Sequence, residues 1–280
     1  MTPKKILLAT DLTCRCDRAL DRTVALAQEW SARVVVVHAL EAPLPVSDVP
    51  SWRQPPHPRE LAERRIRDDL RGATIAVELV AERAEPAELI LETADKLGCE
   101  LIVTGIAREE TLLRSILGTT AETVARRSKV PMLVVKSRPR GPYRRIAVAT
   151  DFSDSSRSAF EVALATFPDV NVSLCHAYEV AYETFLNDKM DAREQFAREA
   201  LRQCEAFLAS VPSATGRNVS IRCEQGTPAE MLRELVDALE IDLVVAGTHG
   251  RSVAATLIVG SVAQSLLTSV PRDVMVVPRR

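Results

Sequence analysis

The chain has 280 residues, a length that suits two ordinary domains better than one. With 46% hydrophobic and 26% charged residues, its composition is that of a globular protein with substantial cores. The net charge of −2 and the aromatic content of 4% disfavour nucleic acid as a partner, because they provide neither a basic surface nor a stacking platform.

The first half of the chain alternates short apolar runs, typical of strands, with segments of helical periodicity. Strands are predicted at 4–10, 33–39, 74–80, 100–104 and 132–136. Helices are predicted at 15–30, 58–71, 86–98 and 118–129.

The second half repeats the first. KKILLATD at 4–11 matches RRIAVATD at 144–151, and EPAELILETADKLGCELIVTG at 85–105 aligns without gaps with TPAEMLRELVDALEIDLVVAG at 227–247. Strands are predicted at 144–150, 171–177, 218–224, 241–246 and 273–277, and helices at 154–166, 188–210, 228–239 and 260–269. The repeat predicts two tandem domains, residues 1–138 and 143–280, with a linker, SRPRGPY, at 137–143.

The order of elements predicts the fold class. Strands such as LIVTG and LVVAG are apolar on both faces, as expected when helices cover both sides of a parallel sheet. Alternating strands and helices therefore predict two tandem, doubly wound α/β domains, whose ligand site lies beyond the carboxyl ends of the strands.

The same sequence gives an expectation about location. No stretch approaches the ~20 apolar residues of a membrane span, and the opening MTPKKILLATD does not resemble a signal peptide. Six cysteines are dispersed along the chain. We expect a soluble cytoplasmic protein with reduced thiols and no membrane partner.

Matched polar residues close the predicted strands. Each half has Thr-Asp after its first strand, His-Ala after its second and a glycine after its fourth. These residues are Thr10-Asp11, His38-Ala39 and Gly105 in the first half, and Thr150-Asp151, His176-Ala177 and Gly247 in the second. Because the carboxyl ends of parallel strands meet at one edge of a sheet, we expect the ligand site there.

Glycines mark the loop after the fourth strand. Five of the chain's ten glycines lie in the two copies of this loop. In the second half the pattern is Gly247-Thr-His-Gly250, nine residues, and then Gly260-Ser261. Glycine lets the backbone approach a ligand, and a Gly-Ser pair opening a helix offers amides, a hydroxyl and the positive end of the helix dipole. The pattern predicts a phosphate site.

These residues resemble the universal stress protein family in its tandem form. The resemblance rests on Asp151, the glycine pattern from Gly247 to Ser261 and the closing segment Val270-Pro271…Val276-Val277, and it spans nearly the whole chain. It implies a five-stranded parallel sheet in each domain and a role in the stress response. In family dimers the last strands pair, so here 132–136 and 273–277 are expected to pair within the chain as a pseudo-dimer. A homodimer of the whole chain is left open.

The resemblance also implies a ligand and the residues that hold it. The ligand is ATP, with ADP or AMP as alternatives, and Mg²⁺ on its phosphates is included in the expectation. Asp151 and the backbone of Ala177 would contact adenine and ribose. Ribose and phosphates would be held by Gly247, Gly250, Gly260 and Ser261, with His249 and Arg251 near the phosphates. No catalytic residue and no protein metal site are predicted.

The first half departs from this pattern. Its loop reads Gly105-Ile-Ala-Arg108, so an arginine replaces the second glycine, and Glu109-Glu110 follow. The arginine side chain occupies space that the motif leaves empty, and the two carboxylates repel a polyphosphate. We therefore interpret the first site as degenerate.

Two other groups of residues could carry chemistry. Cys14, Cys16 and His38 fall near one edge of the first sheet, where a zinc or redox site is conceivable. Structural cysteines are the commoner case, and no fourth ligand is evident. His38 and His176, at matched strand ends among apolar residues, are expected to be packed structural residues.

The favoured hypothesis is a stress-response regulatory protein that binds an adenine nucleotide in its second domain, with slow or absent hydrolysis and an unidentified protein partner. One alternative is an enzyme acting on the α-phosphate of ATP, although 150–156 lacks the glycine pair of that signature. The other is a ligand-free interaction scaffold. The sequence leaves open the stress, the partner and which adenine nucleotide binds.

Overall fold

A computed structural model describes most of the chain. The described residues are 2–40, 57–106, 108–111, 114–116, 118–179, 189–248 and 260–279. Among these residues no helix is both long and apolar enough to cross a bilayer.

In its described residues the first half contains seven strands and four helices. They are β1 (Lys5–Ala9), α1 (Asp17–Trp30), β2 (Arg33–Ala39), α2 (Pro58–Asp69), β3 (Val77–Glu82), α3 (Pro86–Leu97), β4 (Leu101–Thr104), β5 (Arg108–Thr111), β6 (Arg114–Ile116), α4 (Thr119–Arg127) and β7 (Met132–Val134). A single 3-10 turn, Cys14–Cys16, leads into α1.

The described residues of the second half repeat this order, and the segment that corresponds to β5–β6 lies outside them. Its elements are β8 (Arg145–Ala149), α5 (Asp154–Thr166), β9 (Asn171–Tyr178), α6 (Lys189–Ala209), β10 (Val219–Gln225), α7 (Pro228–Ala238), β11 (Leu243–Gly247), α8 (Ser261–Ser269) and β12 (Asp273–Val277). A 3-10 turn, Pro212–Ala214, follows α6.

Local sequence explains where several helices begin. In α7, Pro228 fills the first position, where its missing N–H is not needed, and the Thr227 hydroxyl accepts a hydrogen bond from the amide of Glu230. In the equivalent α3, Pro86 follows Glu85, whose carboxylate caps the amide of Glu88. The repeat therefore preserves the capping scheme while changing the capping residue.

Ten of the described strands form one sheet in the order β10-β9-β8-β11-β12-β7-β4-β1-β2-β3. The five strands that each half contributes to this sheet are parallel to one another, which confirms the predicted α/β fold class. The halves meet where β7 and β12 pair antiparallel, with Leu133 opposite Met275. The strand pairing expected for an intrachain pseudo-dimer is therefore present. Because the sheet is continuous, the domain boundaries at 1–138 and 143–280 stay a prediction.

One short element was not predicted. The loop between β4 and α4 contains the antiparallel pair β5–β6, in which Arg108 lies opposite Ile116. The sequence predicts an uninterrupted loop for this segment. Its backbone forms a separate two-stranded sheet because two adjacent segments fold back on each other, which side-chain periodicity over three or four residues does not reveal.

Apolar layers cover both faces of the sheet and continue across the junction of the halves. One layer includes Ile6, Ile146 and Phe160, and the other includes Leu7 and Val244. Aromatic rings also cross the junction, since Trp30 of α1 lies 5.7 Å from Phe167 at the end of α5. The two halves therefore share a core as well as a sheet.

A buried polar cluster lies at the same junction. We call Arg22, Lys136, Tyr143 and Asp273 the junction cluster. Asp273 is completely buried; its Oδ2 accepts a hydrogen bond from the Tyr143 hydroxyl at 2.7 Å and lies 3.5 Å from Arg22 Nε. Its Oδ1 accepts hydrogen bonds from the amides of Lys136 and Ser137, both at 2.9 Å. One carboxylate thus joins α1, the linker and β12.

Candidate functional site

The turn after β8 holds the first residue of the predicted site. Thr150 Oγ1 accepts a hydrogen bond from the Phe152 amide at 3.0 Å. Asp151 Oδ1 accepts two, from the amide of Ser153 at 3.1 Å and from its hydroxyl at 2.6 Å. Ser153 also caps α5. Local hydrogen bonds therefore fix the half-buried Asp151 carboxylate at the carboxyl edge of the sheet.

The residue after each aspartate is strained. Phe152 has φ of 64° and its counterpart Leu12 has φ of 58°, in the left-handed region that side chains other than glycine seldom adopt. Such a residue costs roughly 1 kcal/mol or more. Both halves tolerate that cost because the left-handed residue reverses the chain between the first strand and the helix that follows it.

The matched histidines make matched contacts. Nδ1 of His38 lies 3.0 Å from the carbonyl oxygen of Thr10, and Nδ1 of His176 lies 2.9 Å from that of Thr150. A carbonyl only accepts, so Nδ1 carries the hydrogen. The ring of His176 also lies 4.4 Å from that of Phe152. These contacts agree with the structural role expected for the two histidines.

The strand ends bring Asp151 and Ala177 to one edge. The Thr150 amide donates to the carbonyl of Cys175 at 2.9 Å, which continues the β8–β9 ladder past Ala149. Asp151 comes directly after Thr150, and Ala177 lies two residues after Cys175, so both follow this bond at the ends of adjacent strands. The structure thus brings together the two residues that were expected near adenine and ribose.

Gly247, at the end of β11, packs against the first turn of α5. A Cβ at this position would lie 2.8 Å from the backbone carbonyl of Ser155 and even closer to its hydroxyl. The glycine pattern predicts that this residue lets the backbone approach a ligand. The structure shows a packing need as well, because only hydrogen leaves room for α5 over the end of the strand.

We expect Gly247→Ala to lower the free energy of unfolding by about 1–3 kcal/mol, as inserting a methyl group into a packed site does. Gly105→Ala is the matched control from the first half, where the new Cβ would lie 3.0 Å from the Arg15 carbonyl oxygen. It should cost less, because a few tenths of an ångström relieve that contact. Urea denaturation of both variants measures the difference, and equal losses would contradict this reading of Gly247.

The start of α8 is tied to the end of β11. The amide of Gly260 donates to the carbonyl oxygen of Thr248 at 2.7 Å, and the Thr248 amide donates to that of Val277 at 3.0 Å. Gly260 is the N-cap of α8 and has no side chain with which to cap the first-turn amides. Ser261, the first helical residue, is exposed. This helix end therefore presents N–H groups and a hydroxyl beside the strand end.

Three predicted site residues cannot be placed. His249, Gly250 and Arg251 lie outside the described residues, as does most of the loop between Thr248 and Gly260. The structure thus brings together the Asp151 turn, Ala177, Gly247 and the Gly260-Ser261 helix start.

The first half has a different environment around its aspartate. Asp11 Oδ1 accepts hydrogen bonds from the Thr13 hydroxyl at 2.7 Å and from Cys16 Sγ at 3.2 Å, and Oδ2 lies 3.3 Å from Arg15 Nη2. Burial raises the pKa of Asp11, but the hydrogen bonds from Thr13 and Cys16 and the charge of Arg15 outweigh it, so the net pKa is lowered. Thr13 therefore contacts Asp11 as Ser153 contacts Asp151, and Arg15 and Cys16 contact the Asp11 carboxylate in addition.

The cysteines of this region do not assemble a metal site with the described residues. Cys14 is exposed, Cys16 donates to Asp11, and His38 Nδ1 faces Thr10. Within the described ranges no three histidine, cysteine or acidic side chains are grouped to hold a metal ion. Burial raises the pKa of Cys16 to about 11, which disfavours its thiolate.

Sequence reasoning missed some residues that shape the site. Phe152 stacks on His176, Ser155 packs on Gly247, and Thr248 anchors Gly260. The paired small residues at 155 and 156, just inside a helix, are the available signal for a close approach of backbone to α5.

Comparison with known proteins agrees with this architecture. A universal stress protein from Archaeoglobus fulgidus DSM 4304 superposes with a TM-score of 0.74 at 22% identity, covering 99% of each chain. A functionally unknown protein from Pseudomonas aeruginosa PAO1 superposes with a TM-score of 0.72 at 17% identity, covering 99% of this chain and 93% of that one. At these identities the likeness concerns the fold.

Sequence comparison identifies the family. A Staphylococcus aureus (strain USA300) relative, whose name places it among universal stress proteins, is 29% identical over 143 residues, which is 48% of this chain and 84% of the relative. The profile of the universal stress protein family matches twice, at residues 2–136 and 142–278. The chain therefore belongs to the universal stress protein family, with two copies of the family's domain in tandem.

Proposed function

We propose that this protein is a stress-response regulator that binds ATP or a related adenine nucleotide in its second half and hydrolyses it slowly or not at all. One observation carries the proposal. The hydrogen bond from Gly260 to Thr248 fixes the start of α8 at the same sheet edge as the Asp151 turn. A phosphate-binding helix end and a polar ribose- or base-binding turn then flank one crevice, where the strand order reverses around β8 and β11.

The start of α8 suits phosphate oxygens. The first amides of a helix have no partner within the helix, and the dipole adds partial positive charge there. The exposed Ser261 hydroxyl provides a further donor. Gly260 lets the ligand approach these groups because it has no Cβ. We assign phosphate contact to Gly260 and Ser261, and also to Gly250, His249 and Arg251 of the adjoining loop.

The other side of the crevice suits the nucleoside. The Asp151 carboxylate accepts hydrogen bonds, and nucleoside hydroxyl or amino groups can donate them. The Ala177 backbone and Gly247 adjoin it on the neighbouring strands. We assign adenine and ribose contact to Asp151 and Ala177, with Gly247 shaping the floor between nucleoside and phosphates. Mg²⁺ on the phosphates would add to the positive charge of Arg251, the one arginine or lysine assigned to this site.

Among the described residues, the contacts of the nearby polar groups support slow or absent hydrolysis. The Oδ1 atom of Asp151 accepts both bonds from Ser153, and His176 directs Nδ1 to the Thr150 carbonyl while its ring packs on Phe152. These arrangements orient the side chains structurally rather than toward an attacking water. We assign no catalytic residue.

The proposal predicts about one adenine nucleotide per chain, released when the purified protein is denatured and identified by chromatography and mass spectrometry. Gly260→Val should lower the bound fraction and weaken ATP affinity about tenfold or more, because its side chain crowds the start of α8. The matched control is Gly118→Val. Gly118 caps α4 with φ of −67° and ψ of 156°, close to the −56° and 147° of Gly260, so the backbone cost is comparable. We expect this control to keep its nucleotide.

Other outcomes would favour the alternatives. A protein that purifies empty and fails to bind added ATP is a scaffold rather than a nucleotide-binding regulator. Rapid release of AMP or pyrophosphate would instead indicate an enzyme acting on the α-phosphate. Equal losses in Gly118→Val and Gly260→Val would contradict the assignment to the second half. The protein partner, a homodimer and the cytoplasmic location stay predictions.

A further inference from the structure

Two thiols face each other in the second half, between α6 and β10. Sγ of Cys204, on α6, lies 3.2 Å from Sγ of Cys223, on β10. Both cysteines are free thiols. A disulfide needs the sulfurs at about 2.05 Å, so they must approach by roughly 1 Å. Both residues belong to regular elements, which hold this geometry.

Strand register explains why Cys223 points toward α6. On the parallel strands β9 and β10, Cys223 lies beside His176, and Arg222 lies beside Cys175. Neighbouring partners share a face and successive residues alternate. The ring of His176 contacts Phe152, which in turn packs on Phe207 of α6, so this is the face that α6 covers. Cys175 points to the opposite face and cannot compete for Cys204.

The two thiols differ in access to solvent. Cys204 is fully buried and Cys223 is only partly buried. Burial raises the pKa of both thiols, and at Cys223 the hydrogen bond with Cys204 offsets part of the rise. A dissolved oxidant therefore meets Cys223 first, and Cys204 is placed behind it as the resolving thiol.

We propose that Cys204 and Cys223 form a reversible intrachain disulfide when the protein meets a peroxide. Hydrogen peroxide oxidises the Cys223 thiol to a sulfenic acid and is reduced to one water. The Cys204 thiol then attacks that sulfur, the S–S bond forms, and the sulfenic oxygen leaves as a second water. The two thiols lose two hydrogens and two electrons in total, and a dithiol reductant reverses the change.

The disulfide would connect β10, the outermost strand of the sheet, to α6, the helix that covers it. In the described part of the chain, β10 is an edge strand that pairs with β9 alone. Cys204 lies one helical turn before Phe207, whose ring packs against those of Phe152 and Phe160. The first half has no counterpart, since Ala81 of β3 occupies the register position beside His38 that Cys223 occupies beside His176. The proposed redox response therefore belongs to the second half alone.

The test uses the full chain carrying Cys14→Ser and Cys16→Ser, which removes the more accessible thiols of the first half. After peroxide treatment the intact protein should be lighter by about 2 Da. After free thiols are blocked and the protein is digested with trypsin, we expect peptide 203–217 linked to peptide 223–233. Dithiothreitol should restore both peptides. Oxidation should also raise the thermal unfolding midpoint by roughly 5 °C, since the link closes a short loop.

Three matched variants make the test decisive. Cys204→Ala and Cys223→Ala should each abolish the linked peptide and the thermal shift, whereas Cys175→Ala, on the opposite face, should retain both. A folded, peroxide-treated protein in which Cys223 reaches only the sulfinic acid, or in which the linked peptide contains Cys175, would overturn the proposal. The same holds if the linked peptide forms only between two chains, which isotope-labelled mixtures reveal.

Discussion

Replacing Asp273 with alanine should lower the free energy of unfolding by about 3–5 kcal/mol, the cost of removing one partner of a buried ion pair. The substitution leaves groups in three places without the partner that Asp273 provided. Arg22 becomes a buried charge without its counter-ion, the Tyr143 hydroxyl loses its acceptor, and the amides of Lys136 and Ser137 lose theirs. Because these groups come from both halves and the linker, unfolding should stay cooperative while its midpoint falls.

Urea denaturation measures this loss, and Asp237→Ala is the control. Asp237 forms an exposed ion pair with Arg272, one residue before Asp273, so its removal should cost no more than about 1 kcal/mol. Adding Arg22→Met to Asp273→Ala should recover part of the loss, because the second change removes the unpaired charge. Similar small losses in both aspartate variants would show that the junction cluster does not hold the halves together.

The regular elements could be predicted because their signals are local. LIVT of β4 and LVVAG of β11 are apolar on both faces, which is the pattern of buried parallel strands. Helices such as α7 carry a capping residue and a proline at the start. The β5–β6 pair has no comparable signal, because three or four residues are too few to show periodicity.

The site could be predicted only in part, for a related reason. Asp151 and Gly260 were found because their type and spacing match a family pattern. The contact between Ser155 and Gly247 joins residues 92 positions apart, and neither local sequence predicts it. Asp273 is a stronger case. Between Arg272 and Val274 it looks like a surface acid, and its burial follows only from the antiparallel pairing of β7 and β12.

The junction cluster also carries the largest pH effect that we expect. Burial lowers the pKa of Lys136 from 10.5 to about 7, although the charge of Asp273 opposes the shift. Lys136 Nζ donates to the carbonyl oxygens of Val270 at 2.7 Å and Leu266 at 3.3 Å, at the end of α8. A neutral amine can keep both hydrogen bonds, so deprotonation removes the cost of a buried charge without leaving the carbonyls unpaired.

The sign of the effect follows from where each state holds its proton. Below about pH 7, Lys136 is protonated in both the folded and the unfolded protein, and above about pH 10.5 it is neutral in both. Between these values Lys136 is protonated only in the unfolded protein. The free energy of unfolding should therefore rise with pH in this window. From pH 6 to pH 9 we expect the free energy of unfolding of the wild type to rise by about 2–3 kcal/mol relative to that of Lys136→Met.

The control is Lys129→Met, which replaces an exposed lysine paired with Asp95, and its free energy of unfolding should change with pH as that of the wild type does. Parallel curves for wild type and Lys136→Met would mean that Lys136 stays protonated in the folded protein, held by the two carbonyls and Asp273.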